Sequence, residues 1–164
     1  MFRRHRGLPI IESGDTTTVT DYSRSLTLDL VPGSYAICRW DPGDSLPPWV
    51  MQGEFFSVTR TSAELSAVCD VAVVPSGVKA DGPWLMLAVR GPLDFNITGV
   101  LAALAVPLAH ACISIFAVST YDTDYLLVRD REMDRAVRAL REAGHTISGA
   151  RGASHGTTVY SDPQ

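Results

Sequence analysis

Leu26, Leu28 and Leu30 alternate with Thr27 and Asp29, the period of a half-buried strand. Pro32-Gly33 marks a turn, and 35–40 reads as a second strand or as the same strand continuing after a bulge. Asp41-Pro42-Gly43-Asp44 and Pro47-Pro48 predict a rigid loop. The run 54–59 is a further strand, with Phe55 and Phe56 on opposite faces. Thr61 or Ser62 then opens a short predicted helix. Either hydroxyl can cap free N–H groups, and Glu64 suits the helix dipole. Leu65, Val68 and Cys69 supply the spacing i, i+3, i+4. A short β-branched strand over 71–74 follows. The segment 76–83, with Gly77, Gly82 and Pro83, is the best linker in the chain.

Beyond that linker the pattern sharpens. Residues 84–89 are almost wholly apolar, as in a central strand buried on both faces. Asn96 or Thr98 is expected to cap a helix running to Ala111, with a stripe of Val100, Leu101, Leu104 and Leu108. Pro107 lies inside that helix and removes one backbone hydrogen bond, at a cost of about 3 kcal/mol unless a kink relieves it. Residues 113–118 form the next strand, and 124–128 return antiparallel across a polar turn. Asp130 caps a last helix with Met133, Ala136, Val137 and Leu140 on one side, and Gly144 stops it. A short strand at 145–148 ends the pattern, with His145 at its edge. The order from Trp84 onward is β-α-β-β-α-β, a ferredoxin-like split unit. The first half reads β-β-α-β, the same unit without its first helix. The expected fold is α+β, with two such units side by side. The expected divisions are a flexible tail at 1–23, a first half at 24–80, a second unit at 83–148 and a flexible tail at 149–164.

The chain has 164 residues, 46% of them hydrophobic, enough for a sizeable core. A net charge of −4 argues against a sequence-independent nucleic-acid partner. The cluster Arg3, Arg4 and Arg6 reads as a solvated tail, with Leu8, Ile10 and Ile11 offering a possible docking stripe. Cys38, Cys69 and Cys112 are odd in number and far apart, so a disulfide framework is not expected and a reducing, cytoplasmic setting is. The longest apolar run, 100–109, contains proline and is too short to span a bilayer. No membrane partner and no cofactor is expected.

The residues also carry a family likeness. Gly99-Val100-Leu101-Ala102, opening a helix after Asp94, resembles the signature of the ACT domain family. More widely, FFSVTRT, GPLDFNITGVLAALAVPLA and ISIFAVSTYDTDYLLV are similar to bacterial tandem-ACT proteins related to the cytosolic arginine sensors of animal cells. The resemblance covers roughly 26–140. It implies small regulatory modules of ferredoxin-like fold that often bind amino acids where neighbouring ACT units meet. Two departures stand out. The step from Asp94 to Gly99 is longer than usual, and Ala111-Cys112 follow the first helix where glycine is common.

A free amino acid needs N–H donors for its carboxylate, and a helix N-terminus supplies them. The loop of Asp94, Phe95, Asn96, Ile97, Thr98 and Gly99 offers such an end. The ammonium needs acceptors, such as Asp122, Asp124 or carbonyls near Ser119 and Thr120. Phe95, Ile97, Phe116 and Tyr121 can wall a side-chain pocket. The plainer reading is that Asp94, Asn96 and Thr98 cap the helix, and that Asp122 belongs to a turn. Asp122 and Asp124 at i, i+2 lack the further oxygen ligands of a cation loop. They could share a proton, but no nucleophile accompanies them. His110 and Cys112 read as a helix end and a core thiol, and Thr59, Arg60 and Thr61 as a possible second half-site. The leading expectation is a non-catalytic regulatory sensor that binds an amino acid and associates as a homodimer through ACT sheets or helices. The alternative is a ligand-free dimerisation module.

Overall fold

The computed structural model describes residues 24–149. The predicted tail at 1–23, with Arg3, Arg4, Arg6, Leu8, Ile10 and Ile11, lies outside the described residues, as do residues 150–164.

One long strand ties the molecule together. β1 (Thr27–Trp40) runs unbroken past Pro32 and Gly33, with its register to β4 (Ala80–Val89) shifted between Val31 and Tyr35. Gly33 sits at φ +99°, which glycine tolerates without strain. The continuation after a bulge is thus the form the chain adopts. The remaining strands are β2 (Ser57–Arg60), β3 (Leu65–Asp70), β5 (Ile115–Ser119), β6 (Asp124–Arg129) and β7 (Thr146–Ser148). Their order is β2-β3-β1-β4-β6-β5, with β7 also on β1. On one side β1 meets β7 through Thr27, Leu28 and Asp29, then β3 through 35–40. Its other side meets β4. β1 is therefore interposed between β4 and β7, the two strands that would be neighbours in an isolated ferredoxin-like unit.

Two helices, α1 (Val100–His110) and α2 (Met133–Glu142), complete the second half. They bury Val100, Leu104, Leu108, Met133 and Leu140 against Leu28, Leu87, Leu126 and Val128. Each such side chain contributes about 1.5–3 kcal/mol. Even-numbered β1 residues face this core, then a second one of Ala36, Cys38, Val50, Ala67 and Cys69. Odd-numbered ones, Val31, Tyr35 and Ile37, face the opposite side with Trp84, Met86 and Leu127. A single cleft touches β2, β3 and β5, so the two ends of the strand order approach each other and the sheet curls around this inner face.

The first half departs from expectation. The helix predicted from Thr61 to Cys69 is a β-hairpin: Ser57–Arg60 pairs antiparallel with Leu65–Asp70. Thr61 does cap, its Oγ1 accepting from the N–H groups of Ala63 and Glu64 at 3.1 and 3.2 Å, but the capped turn is the hairpin's. The strand expected over 71–74 is a 3₁₀ turn, Val71–Val73, because the Asp70 carboxylate accepts from the Ala72 N–H and bends the chain. No α-helix precedes Val100 among the described residues. The segment 76–83 is shorter as a linker than expected, since β4 begins at Ala80.

Pro107 does not break α1. Without its N–H, the Ala103 carbonyl loses the i+4 donor it would have in a regular helix. His145 supplies a replacement from 42 residues away, its Nε2 lying 3.1 Å from Ala103 O. Its Nδ1 accepts from the Leu26 N–H at 3.2 Å, which places the ring proton on Nε2. Expected at a strand edge, His145 is instead 5% exposed and pins α1, the entry to β1 and the turn before β7. Cys112 takes the left-handed place where glycine is common, at φ +55°, and Ile113 N–H reaches back to Leu108 O at 2.9 Å. The last helix is preceded by a 3₁₀ turn, Asp130–Glu132.

Candidate functional site

The loop after β4 and the turn between β5 and β6 form one corner of the second half. The Leu93 N–H donates to Asp122 O at 2.8 Å. Gly91 packs so closely that a Cβ there would meet Asp122 O at 2.8 Å. Above this backbone contact, the rings of Phe95 and Tyr121 meet edge to face, with centroids 4.9 Å apart. These two side chains are 72% and 79% exposed. Large aromatics are rarely left so open without a partner.

Each polar residue has a definite task. Asp94 accepts from both the backbone N–H and the side-chain Nδ2 of Asn96, at 2.8 and 2.9 Å, and Ile97 N–H closes onto Asp94 O at 2.9 Å. Asp94 thus caps its own turn and not the helix. The expected capping of α1 by Asn96 or Thr98 does not occur. Gly99 holds the N-cap position at φ +82°, and no side chain caps α1. The start of that helix therefore keeps donors for another acceptor.

Across the corner, Ser119 Oγ donates to Asp124 Oδ1. Thr120 holds the turn shut, its N–H and Oγ1 both reaching Thr123 O at 2.8 and 2.9 Å. Thr123 Oγ1 donates to Val89 O, fastening the turn to the end of β4. Asp124 is half-buried, whereas the Asp122 side chain is exposed.

The structure thus joins the loop of Asp94, Phe95, Asn96 and Ile97 to the turn of Ser119, Thr120, Tyr121, Asp122 and Asp124 through the Leu93–Asp122 and Phe95–Tyr121 contacts. Phe116 does not join them. It packs in the inner cluster with Trp84, Tyr35 and Met86, because period-two alternation along β5 points it to the opposite face. Leu93, Gly91 and Thr123 build the corner and were not singled out in sequence. Gly91-Pro92 and the Thr-rich turn were their only local signals.

The other chemical candidates are accounted for. The Arg60 guanidinium is held by the carbonyls of Pro42 and, at 2.7 Å, Asp44, so it staples its own loop. Thr61 is used in the hairpin turn. Cys38 and Cys69 are buried, and their mutual hydrogen bond together with burial holds the Cys38 thiol far above the usual range. It is core, not nucleophile. His110 and Cys112 are both exposed. Among the described residues no group of three or more His, Cys, Asp or Glu could hold a metal. No described helix is long and apolar enough to cross a membrane.

Comparison with known proteins fits this geometry. A family model described as ACT domain matches residues 79–142, and one for an N-terminal domain matches 33–77. A solved Agobacterium tumefaciens protein is 35% identical, with a TM-score of 0.75; the match covers 81% of this chain and 99% of that one. This chain belongs to the ACT domain family. The Bos taurus cytosolic arginine sensor for mTORC1 subunit 1 is 29% identical over 98 residues, 53% of this chain and 30% of the sensor. The human putative protein CASTOR3P is 33% identical over 93 residues, 49% of this chain and 57% of that protein. The chain therefore matches only part of the length of these curated relatives. With its seven-stranded curled sheet, the ACT fold here is α+β, as the pattern of residues predicted. The residues matched by the ACT model hold three strands, β4, β5 and β6; β1 and β7, which extend the sheet beyond β4, lie outside them.

Proposed function

We propose that this protein is a non-catalytic regulatory ACT module that binds a free amino acid at the corner of Asp94–Gly99 and Ser119–Asp124, with a second ACT unit closing the site. The observation that carries this reading is the joined corner itself. The loop that leads into the uncapped start of α1 and the turn that carries the exposed Asp122 are joined by the Leu93–Asp122 hydrogen bond and the exposed Phe95–Tyr121 contact. The helix start suits the ligand carboxylate, Asp122 the ammonium, and the aromatic pair an aliphatic or cationic side chain. The bovine relative is named as an arginine sensor, which agrees with an amino-acid ligand. The corner is open, so a partner surface is needed to bury a small molecule to the usual extent. A homodimer in the cytoplasm supplies it, and ligand binding then shifts the dimer between arrangements and regulates a further protein.

A second reading, ligand-free assembly, is favoured by one fact: Phe95 and Tyr121 together could be covered by protein alone. A thermal-shift screen of the twenty amino acids at ~1 mM separates the two. Sensing predicts a raised melting temperature with one or a few of them, lost in Tyr121→Ala. Unchanged melting with all twenty, together with dimer loss in Tyr121→Ala, identifies the assembly module.

A further inference from the structure

The inner side of the curled sheet holds a second feature, remote in role from the corner. A cavity of about 200 Å³ lies between β5 on one wall and β2 with β3 on the other. Register places Ser57 opposite Val68 and Thr59 opposite Ser66, so these four side chains share one face. On the other wall Phe116, Ala117, Val118 and Ser119 of β5 all touch the cleft, as Ser66, Ala67 and Val68 of β3 do on the first. Consecutive side chains point to opposite faces, so backbone as well as side chains borders the cleft on both walls. Among the described residues β5 pairs with β6 alone. Its far side is a row of N–H and C=O groups without strand partners, the template for an added strand. No charged side chain lines the cleft.

We propose that this trough docks an extended, uncharged segment of another protein, which adds to the edge of β5 as a further strand. The run 116–119 is about 13 Å long at ~3.3 Å per residue, so about four residues dock. Main-chain hydrogen bonds to β5 supply the affinity, and alternate side chains meet the hydroxyls of Ser57, Thr59 and Ser66. That face selects Ser, Thr, Ala or Val. A charged side chain turned inward would lose water and find no counter-charge. The cleft and the amino-acid corner share Ser119 and no other residue named for either.

The test is an NMR titration of the isotope-labelled full chain with the blocked peptide acetyl-Thr-Val-Thr-Val-amide. We expect saturable shifts of the 57–59 and 116–119 amides, no change at 93–97, and exchange at 116–119 slowed at least about tenfold. N-methylation of the peptide at one set of alternate residues abolishes the effect, and at the other set leaves it. Thr59→Lys, an exposed position, abolishes it with the fold intact. The proposal is overturned by the absence of saturable shifts at ~1 mM peptide, or by binding indifferent to both N-methylations. It is equally overturned if the edge proves occupied by self-association that Thr59→Lys disperses.

Discussion

The helix-covered half of the sheet and its helix-free neighbour share β1 but bury it by different means. Around Thr27–Val31, large aliphatics from α1 and α2 cover the strand, and Leu28 is fully buried. Around 35–40 the same face carries Ala36 and Cys38, covered by Val50 of a 3₁₀ turn (Pro48–Met51) with Trp40 and Trp49 packed against them. The polar corners differ in the same sense. In the helix-free half Arg60, Thr61 and Asp70 are used up by their own turns. In the helix-covered half an uncapped helix start and exposed aromatics remain. A helix is what leaves a site open: it brings N–H donors that its own loop does not satisfy.

The comparison breaks most forcefully at the shared strand. Leu28→Asp buries an unpaired charge, and we expect a loss of more than about 4 kcal/mol, enough to unfold the chain. Because β1 belongs to both halves, native protein should unfold in urea as one unit. In a Trp84→Phe background tryptophan fluorescence reports the Trp40–Trp49 pair, 5.8 Å apart in the helix-free half, and far-UV circular dichroism reports the helices. Coincident curves are expected. Two separated transitions would mean the halves are independent and β1 is not their common frame.

Next in size is the His145 pin. His145→Ala leaves Leu26 N–H and Ala103 C=O without partners and should cost about 2–4 kcal/mol. In a Pro107→Ala background the helix regains its own donor to Ala103 O. The cost of His145→Ala should then fall by about 1 kcal/mol, measured as the coupling in a double-mutant cycle. Zero coupling would show that His145 does not compensate for the proline.

Legibility followed the same division between halves. In the second half, the apolar run of β4 was readable as a strand buried on both faces, as Met86 and Leu87 are, and the stripes of α1 and α2 were readable as core. In the first half, Leu65, Val68 and Cys69 fit a helix, but Leu65, Ala67 and Cys69 fit a strand equally well, and all four are buried. Thr61 deepened the error, since a hydroxyl accepting from N–H groups two and three residues on caps helices and tight turns alike. The His145 contact was invisible locally, because the proline that calls for it is distant in sequence. Of the site, the residue types were legible and their adjacency was not: nothing local says that Leu93 meets Asp122. Phe116 was misplaced by one step of strand alternation.

Smaller effects sharpen the picture. Cys112 occupies a left-handed conformation that costs an ordinary residue about 1 kcal/mol. Cys112→Gly should therefore raise stability by up to about 1 kcal/mol in urea titration, less the entropy glycine brings. Last comes the exposed pair of Asp29 and Arg90 at the β1–β4 ladder. Hydrogen bonding to Arg90 holds the Asp29 carboxyl below its ordinary value of 3.8. The unfolded chain therefore binds this proton first. The pair's contribution is present above about pH 4 and is lost as pH falls through the folded-state value. Asp29→Asn should flatten that acid slope slightly, and salt should do the same.

The central claim is that the joined corner binds an amino acid, and residue-resolved NMR with the amino acid that raises the melting temperature tests it most directly. The account predicts saturable shifts concentrated at 93–100 and 119–124, absent in Tyr121→Ala at unchanged fold. Shifts confined to the first half, or none at those positions, would contradict it.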